Sequence, residues 1–384
     1  MKRYPLTYAE WGWREYISVI TSFFADYSSD LEGKIQAIYP DSDIALLNSA
    51  RGGLRLIIDR LIALNPEKKE VIVPNYICPS VTDTLASMGV SVIYAPVGSN
   101  LNVDAEAIGP LIGQETLAVI AVHMYGCVAQ IEAIAQLCEE SGVVLIDDAA
   151  QLGVKLPGNV CPGSYGDFGL VSFAQSKSIV TGVRGSGGVL LINNPKWTDI
   201  FKDKINGLKP GPARRLQFFY FLGQYQFVRV FGKLVYYLER LSVKSGLSRN
   251  DYYSVQAISN LDAAIACHQY DSAEQRILNK INVIQWYSQH LEGCSFIQLP
   301  QAESGSYLSR LFVQFNLTDE RYRQLRVCLA AENIGARNGY PSTKCLMELP
   351  LSSKMNEADV VVVVTALKKC LSRFDEQVSA SKHH

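Results

Sequence analysis

Between about Ile44 and Asn194, short runs of valine, isoleucine and leucine alternate with amphipathic stretches of helical period. The runs are Val71-Ile-Val-Pro, Val92-Ile-Tyr-Ala, Leu117-Ala-Val-Ile-Ala-Val-His123, Val143-Val-Leu-Ile-Asp, Gly169-Leu-Val-Ser-Phe and Gly188-Val-Leu-Leu-Ile-Asn. Strands that are apolar throughout, separated by helices, predict a mainly parallel sheet covered on both faces. Ligands of such sheets collect at the carboxyl ends of the strands, where Pro74, His123, Asp148 and Ser172 all fall. Beyond Tyr252 the period is helical in Ser259-Asn-Leu-Asp-Ala-Ala-Ile-Ala and from Ile277 to Leu291. A strand-like Leu311-Phe-Val-Gln-Phe-Asn-Leu follows, then helices from Asp319 to Asn333 and from about Asn356 to Phe374. This predicts a second, compact α+β domain.

The length of 384 residues suits two domains, with divisions expected at 1–206, 207–253 and 254–384. The middle piece holds an aromatic-dense stretch, Leu216 to Leu241, interrupted by Gln217, Gln224, Gln226, Arg229, Lys233 and Glu239. Those polar residues argue against a spanning helix. A buried helix at a dimer contact is preferred to one lying on a membrane surface, although the composition suits both.

Charge narrows the classes further. Lysine and arginine number 36 against 37 aspartates and glutamates, a balance that offers nucleic acid or an anionic membrane no basic field. Nine cysteines are scattered without the close pairing of a zinc site, and an odd count does not close a disulfide framework. They read as reduced thiols, with no metal expected. The N-terminal residues are too polar and aromatic for the core of a signal peptide, so the expected location is cytoplasmic.

Candidate chemistry centres on Asp148, at the end of a strand, and Lys177, in Leu170-Val-Ser-Phe-Ala-Gln-Ser-Lys177 ahead of the glycine-rich Thr181-Gly-Val-Arg-Gly-Ser-Gly-Gly188. A primary amine condenses with an aldehyde cofactor once its pKa is lowered, and a carboxylate on a pyridine nitrogen keeps that nitrogen protonated as an electron sink. Asp147 competes with Asp148 for this role, since adjacent strand residues face opposite ways. Both could equally cap the following helix.

These stretches, with Glu70-Val-Ile-Val-Pro-Asn-Tyr, Ala121-Val-His-Met-Tyr-Gly126, Leu145-Ile-Asp-Asp-Ala-Ala-Gln151 and Gly163-Ser-Tyr-Gly-Asp-Phe-Gly-Leu-Val-Ser-Phe173, resemble the DegT/StrS-type family of pyridoxal-phosphate sugar aminotransferases. Weaker similarity extends the resemblance to roughly residues 44–375, through Ile334-Gly-Ala-Arg-Asn-Gly-Tyr-Pro341. It implies a fold-type-I α/β architecture: a large domain with a seven-stranded, mainly parallel sheet between helices, and a smaller C-terminal α+β domain. It also implies pyridoxal 5'-phosphate as cofactor and a homodimer whose subunits complete each other's sites. The donor would be glutamate and the acceptor a nucleotide-activated keto-sugar.

Carried over by position, the resemblance makes Lys177 the lysine that bonds the cofactor and moves the proton. Asp148 becomes the partner of the ring nitrogen, and Gln151 lies beside the ring hydroxyl and ring face. For the phosphate it implies the helix start around Ser49, Ala50 and Arg51, with Ser172. Arg51 stands where the family often has threonine, and either makes a charged contact or points away. The family's ring-stacking aromatic falls on Cys78, so either that thiol packs on the ring or Tyr76 takes over. His123 contacts the cofactor or substrate, or is a core histidine. Arg337 and Tyr340 meet a donor carboxylate, or serve the turn. Arg184 replaces a common carboxylate, and the asparagine that relatives lend from the partner has no clear match near Ser254 to Ile258. These departures keep two alternatives in view: a non-nucleotide acceptor such as a keto acid, cyclitol or free sugar acid, and a catalytically silent scaffold subunit. The family's dehydratase branch replaces the lysine that is present here.

Overall fold

The computed structural model describes residues 4–6, 10–156, 160–182, 186–213, 215, 254–299 and 307–381. The aromatic stretch Leu216 to Leu241 and Arg184 lie outside them.

Seven strands form the large sheet: β1 Asp43–Leu47, β2 Glu70–Pro74, β3 Ser91–Ala95, β4 Thr116–Val122, β5 Val144–Asp148, β6 Phe168–Ser172 and β7 Gly188–Ile192. Their order is β1-β7-β6-β5-β4-β2-β3. All run the same way except β7, which is antiparallel to both of its neighbours. Every residue of β4 and β7 is buried, as expected of strands covered on two faces.

Alternation sorts the side chains. Leu190 and Ile192 join the layer under α3 (Ala50–Leu64), with Leu54, Ile57, Ile58 and Leu61. Val189 and Leu191 point the other way, against α2 (Ser28–Gln36) and the helix Asn260–Asp271, where Leu31, Ile35, Ala263 and Ala266 pack. That last helix, although it follows residue 254, also packs on α1 (Trp13–Thr21) and so belongs by its contacts to the large sheet's layer.

The reversal of β7 matters for function. Because β6 and β7 are antiparallel, the segment joining them leaves and returns at one edge of the sheet, and Lys177 lies within it. The same edge carries the ends of β1, β4 and β5.

The smaller unit is a four-stranded antiparallel sheet in the order β10-β11-β9-β8, made of β8 Ile297–Gln298, β9 Leu311–Phe315, β10 Arg337–Asn338 and β11 Leu346–Leu349. Helices Ala273–Leu291, Asp319–Ala331 and Glu357–Ser381 pack with it around Val283, Leu325, Met347 and Leu367. Cys328 and Cys370, on the last two of these helices, are joined by a disulfide. The expectation of reduced thiols is corrected for this pair: the helices lie side by side, and their Cα atoms are 5.9 Å apart, within reach of a bridge.

The two units meet at Gly126, whose φ of +95° and lack of a side chain let the backbone of Tyr307 approach. A Cβ there would stand 1.7 Å from the Tyr307 carbonyl oxygen. Tyr307 N–H donates to the Gly126 carbonyl at 3.2 Å and Ser309 N–H to the Tyr125 carbonyl at 2.9 Å. Among the described residues no helix is long and apolar enough to cross a membrane.

Candidate active site

At the shared strand edge lies a cavity of about 300 Å³. Ser49, Ala50, Arg51, Cys78, Asp148, Gln151, Ser172, Lys177 and Tyr340, nine of the positions singled out in the sequence, line it together with Met124.

The helix start is built by local sequence. Ser49 is extended and caps α3, its Oγ accepting the Gly52 N–H at 3.1 Å, a cap worth about 1 kcal/mol. The first turn, Ala50 and Arg51 included, borders the cavity with no acidic residue in it, and a helix start of this kind suits an anion. Gly188 permits it: a Cβ there would stand 2.4 Å from the Ala50 nitrogen and 2.7 Å from the Val171 carbonyl oxygen. Ser172 Oγ lies 3.4 Å from the Ala174 N–H.

The adjacent aspartates separate cleanly. Asp147 is wholly buried on the far side of the strand: Oδ1 pairs with His123 Nε2 at 2.7 Å, and Oδ2 accepts the N–H groups of Gly163 at 2.7 Å and Tyr165 at 3.2 Å. His123 Nδ1 accepts the Ala129 N–H at 3.0 Å, so its proton sits on Nε2 and points at Asp147. His123 is a completely buried core histidine and does not line the cavity, which corrects its placement among cofactor contacts. Asp148 faces the cavity. Its carboxylate accepts one backbone N–H, from Ala150 at 2.9 Å, and burial raises its pKa against that bond and the nearby Lys177.

Lys177 stands half-buried, after Ser176, whose φ of +69° is unusual for a residue with a side chain. Desolvation draws its pKa down, opposed by Cys78 and Asp148, with Arg310 adding to the depression. Among the described residues no hydrogen bond or ion pair ties down its amine. Cys78 forms one wall, its Sγ 3.3 Å from Ser80 Oγ. Tyr76 does not line the cavity. It is fully buried behind it, its hydroxyl 2.7 Å from that of Tyr125 and accepting the Tyr340 N–H at 3.0 Å. Of the two candidates for stacking on a ring, only Cys78 is on the cavity surface.

Arg337 is likewise taken: it donates to Glu348 Oε2 at 2.8 Å from Nε, and Arg310 donates to the same carboxylate at 2.8 and 2.6 Å. Arg310 and Met124 were missed by motif reading. The signal for Arg310 was Glu348, a carboxylate inside the apolar run Leu346-Met-Glu-Leu, which demands a cationic partner once buried.

The donor set fits a phosphorylated pyridine aldehyde. The N–H groups at the start of α3, with Ser49 and Ser172, match a phosphate; Lys177 offers an amine to an aldehyde; Asp148 offers a carboxylate to a ring nitrogen. Gln151 lines the cavity and is only 4% exposed, and its buried Oε1 has no hydrogen-bond partner among the described residues. A buried acceptor left open in this way calls for a donor from a ligand.

Comparison with known proteins agrees. A sequence model of the DegT/DnrJ/EryC1/StrS aminotransferase family matches residues 21–372. The chain belongs to that family. Its cofactor is pyridoxal phosphate. Among curated members, the chain is 34% identical to a GDP-perosamine synthase of Vibrio cholerae over 142 residues, a stretch covering 36% of each chain. It is 24% identical over 326 residues to the UDP-N-acetyl-3-dehydro-alpha-D-glucosamine 3-aminotransferase of Acidithiobacillus ferrooxidans, covering 79% of this chain and 78% of that one. In fold it resembles Helicobacter pylori PseC, an aminotransferase involved in the biosynthesis of pseudoaminic acid, with a TM-score of 0.77 at 14% identity over 97% of this chain and 100% of the other. The mainly parallel seven-stranded large domain is thus the fold-type-I architecture of this family.

Proposed function

We propose that this family member transfers an amino group from an amino acid, glutamate, to a keto-sugar carried on a nucleotide, in the making of amino sugars. The observation that supports it most is the convergence of Lys177, Asp148 and Gln151 on one cavity at the start of α3. No packing requirement selects that set, which also weighs against a silent scaffold. The two curated relatives act on sugar nucleotides by name, and this motivates the acceptor.

Pyridoxal phosphate, when bound, supplies an aldehyde for amines and a ring that withdraws electrons from the neighbouring carbon. The protein's part follows from its residues. The start of α3 and Ser172 would hold the phosphate, Asp148 would hold positive charge on the ring nitrogen, and Gln151 would offer its buried Oε1 as an acceptor. Lys177 would offer its amine to the aldehyde. As a neutral amine with a depressed pKa, Lys177 Nζ would be the group that takes a proton and returns it. A cation on the ring nitrogen would also relieve the cost of ionising Asp148.

We further propose a homodimer. Trp13, Ile20, Phe23 and Phe24 on and just after α1 are 62–85% exposed, an apolar row suited to burial against a second copy. Sedimentation of the full chain at micromolar concentration reads this directly.

The test of function is the visible absorption of the protein loaded with pyridoxal phosphate, beside Lys177→Ala. The expected result is a chromophore that borohydride fixes covalently only when Lys177 is present and that glutamate bleaches. A panel of nucleotide-linked keto-sugars, cyclitol ketones and keto acids then identifies the acceptor. Turnover of free keto acids or cyclitols with no response to sugar nucleotides would refute the proposed acceptor.

A further inference from the structure

Lys177 lies in the segment that joins β6 to β7, and the backbone just after it is held from outside the cavity. The segment closes on itself where the Thr181 N–H donates to the Phe173 carbonyl at 2.9 Å. Ser178 Oγ donates to the Gln151 carbonyl at 3.0 Å, and the Ser178 carbonyl accepts from Arg276 Nη2 at 3.2 Å. Two residues on, the Val180 carbonyl accepts the indole N–H of Trp11 at 2.7 Å. The indole is buried with Val180 against Leu261 and Ile265 of the helix Asn260–Asp271. None of Trp11, Ser178, Val180 and Arg276 lines the Lys177 cavity, so any effect they have on it passes through this segment.

Both outside donors are themselves fixed, and by adjacent residues. Arg276, on the helix Ala273–Leu291, is buried and also donates to Ser272 Oγ at 2.9 Å and to the Gln269 carbonyl at 3.0 Å. Its Nε stands 3.8 Å from Glu10 Oε2, and Lys280 Nζ stands 3.6 Å from Glu10 Oε1. Burial opposes ionisation of Glu10, but Lys280, Arg276 and the hydrogen bonds from Ser353 outweigh it and hold the carboxyl below its ordinary pKa. Those bonds come from the Ser353 N–H at 2.9 Å and its Oγ at 3.0 Å, and Lys354 Nζ donates to the Trp11 carbonyl at 3.0 Å. Glu10 and Trp11 thus stand between residues 353 and 354 of the smaller unit and the segment that carries Lys177.

We infer that Trp11 and Arg276 are positioning residues for Lys177: by holding the carbonyls one and three residues after it, they fix its backbone and keep its amine at the cavity. The residue before it, Ser176, has the left-handed φ of +69°, and a backbone of that kind persists only where its surroundings hold it. That the amine so placed bonds the cofactor rests on the function proposed above; its placement does not.

The experiment is hydrogen exchange read by mass spectrometry on the full chain before it is loaded with pyridoxal phosphate. Reductive methylation of Lys177 by formaldehyde and cyanoborohydride is followed in the same way across pH. Trp11→Phe keeps a ring among Val180, Leu261 and Ile265 and removes the N–H donor. Arg276→Lys keeps a cation beside Glu10 and removes the forked donors that reach Ser178. In each variant, exchange in peptides within 173–182 is expected to rise about five-fold or more, the effect of losing one hydrogen bond, while peptides from β4 and β5 exchange as in the wild type. Burial lowers the Lys177 pKa, so loosening its segment should raise the pH midpoint of methylation toward that of an ordinary lysine. The groups that act electrostatically on the amine, Cys78, Asp148 and Arg310, are the same in both variants, as is Tyr340 on the cavity wall. Unchanged exchange within 173–182, a uniform rise that includes β4 and β5, or a localised rise with an unmoved methylation midpoint would each overturn the inference. The two variants act from different parts of the chain, so misfolding of one leaves the other to decide. Neither readout uses the cofactor, so borohydride fixation persisting in Lys177→Ala would defeat the proposed role of the lysine and leave its positioning standing.

Discussion

Exchanging the two neighbouring aspartates one at a time for asparagine separates scaffold from site. In Asp147→Asn one carboxylate oxygen becomes an NH2 group in a fully buried position. Turned toward Gly163 and Tyr165, it opposes two N–H donors; turned toward His123, it opposes Nε2–H, and the ring cannot change tautomer because Nδ1 is accepting the Ala129 N–H. The less costly choice still removes one charge-assisted bond and strands a buried donor, a loss of about 3 kcal/mol. Asp148→Asn keeps its acceptor for the Ala150 N–H and removes a charge whose burial is unfavourable. In cofactor-free protein its urea midpoint is therefore expected to equal or exceed that of the wild type, while Asp147→Asn unfolds well below it. Amino transfer should show the reverse order, with Asp148→Asn losing roughly a hundredfold or more because an amide cannot hold charge on the ring nitrogen. The pH dependence has a definite sign. A carboxyl with a raised folded pKa is protonated in both states at low pH. As pH rises the unfolded chain releases its proton first, so wild-type stability falls until the folded pKa is passed, and Asp148→Asn lacks that fall. A larger loss of stability in Asp148→Asn than in Asp147→Asn would refute the assignment of faces.

Three further outcomes are expected. Capture of pyridoxal phosphate, followed by stopped-flow absorbance, should accelerate with pH around a midpoint below that of an ordinary lysine, since desolvation lowers the Lys177 pKa; a midpoint at or above the ordinary value would count against the buried amine. Gly188→Ala forces a methyl group against the Ala50 nitrogen and the Val171 carbonyl, both backbone atoms, and should cost about 1–3 kcal/mol with a weaker cofactor titration as the start of α3 shifts. Glu348→Ala leaves Arg310 buried without its counter-ion and should cost about 3–5 kcal/mol in thermal or urea unfolding, with Arg337, half in solvent, contributing little to that loss.

Much of the large domain was legible because its signal is local. A run such as Leu117 to Val122 is apolar at every position, and only a strand buried on two faces makes use of that. Lys177 and Asp148 were legible through flanking motifs, and the cavity does contain both. What the chain could not display were choices made by distant partners. The pattern showed two aspartates on opposite faces, but the contacts that occupy Asp147 come from His123, Gly163 and Tyr165, up to 24 residues away. The two-residue strands β8 and β10 have no period to detect. Cys328 and Cys370 come together because two helices pack, and nothing in a separation of 42 residues announces it.

Tyr76 shows how a departure from a motif is absorbed. The sequence offers a tyrosine two residues before the position where relatives stack a ring, which suggests substitution by a neighbour. The fold uses it otherwise. Its hydroxyl accepts the Tyr340 N–H, and Gly339 packs so closely that a Cβ there would come within 2.4 Å of that oxygen. Tyr76 is thus the anchor that carries a small-domain segment to the cavity, and the aromatic ring that reaches the cavity surface is Tyr340. A thiol at residue 78 leaves room that a bulky ring would fill, and Tyr340 enters from the other domain. The aromatic wall of the site is therefore made by a contact between the two units. Tyr340→Phe should then retain the ring and the backbone anchor while losing only the hydroxyl. If that variant lost the cofactor altogether, the wall would depend on the hydroxyl, and the anchoring role assigned to Tyr76 would be wrong.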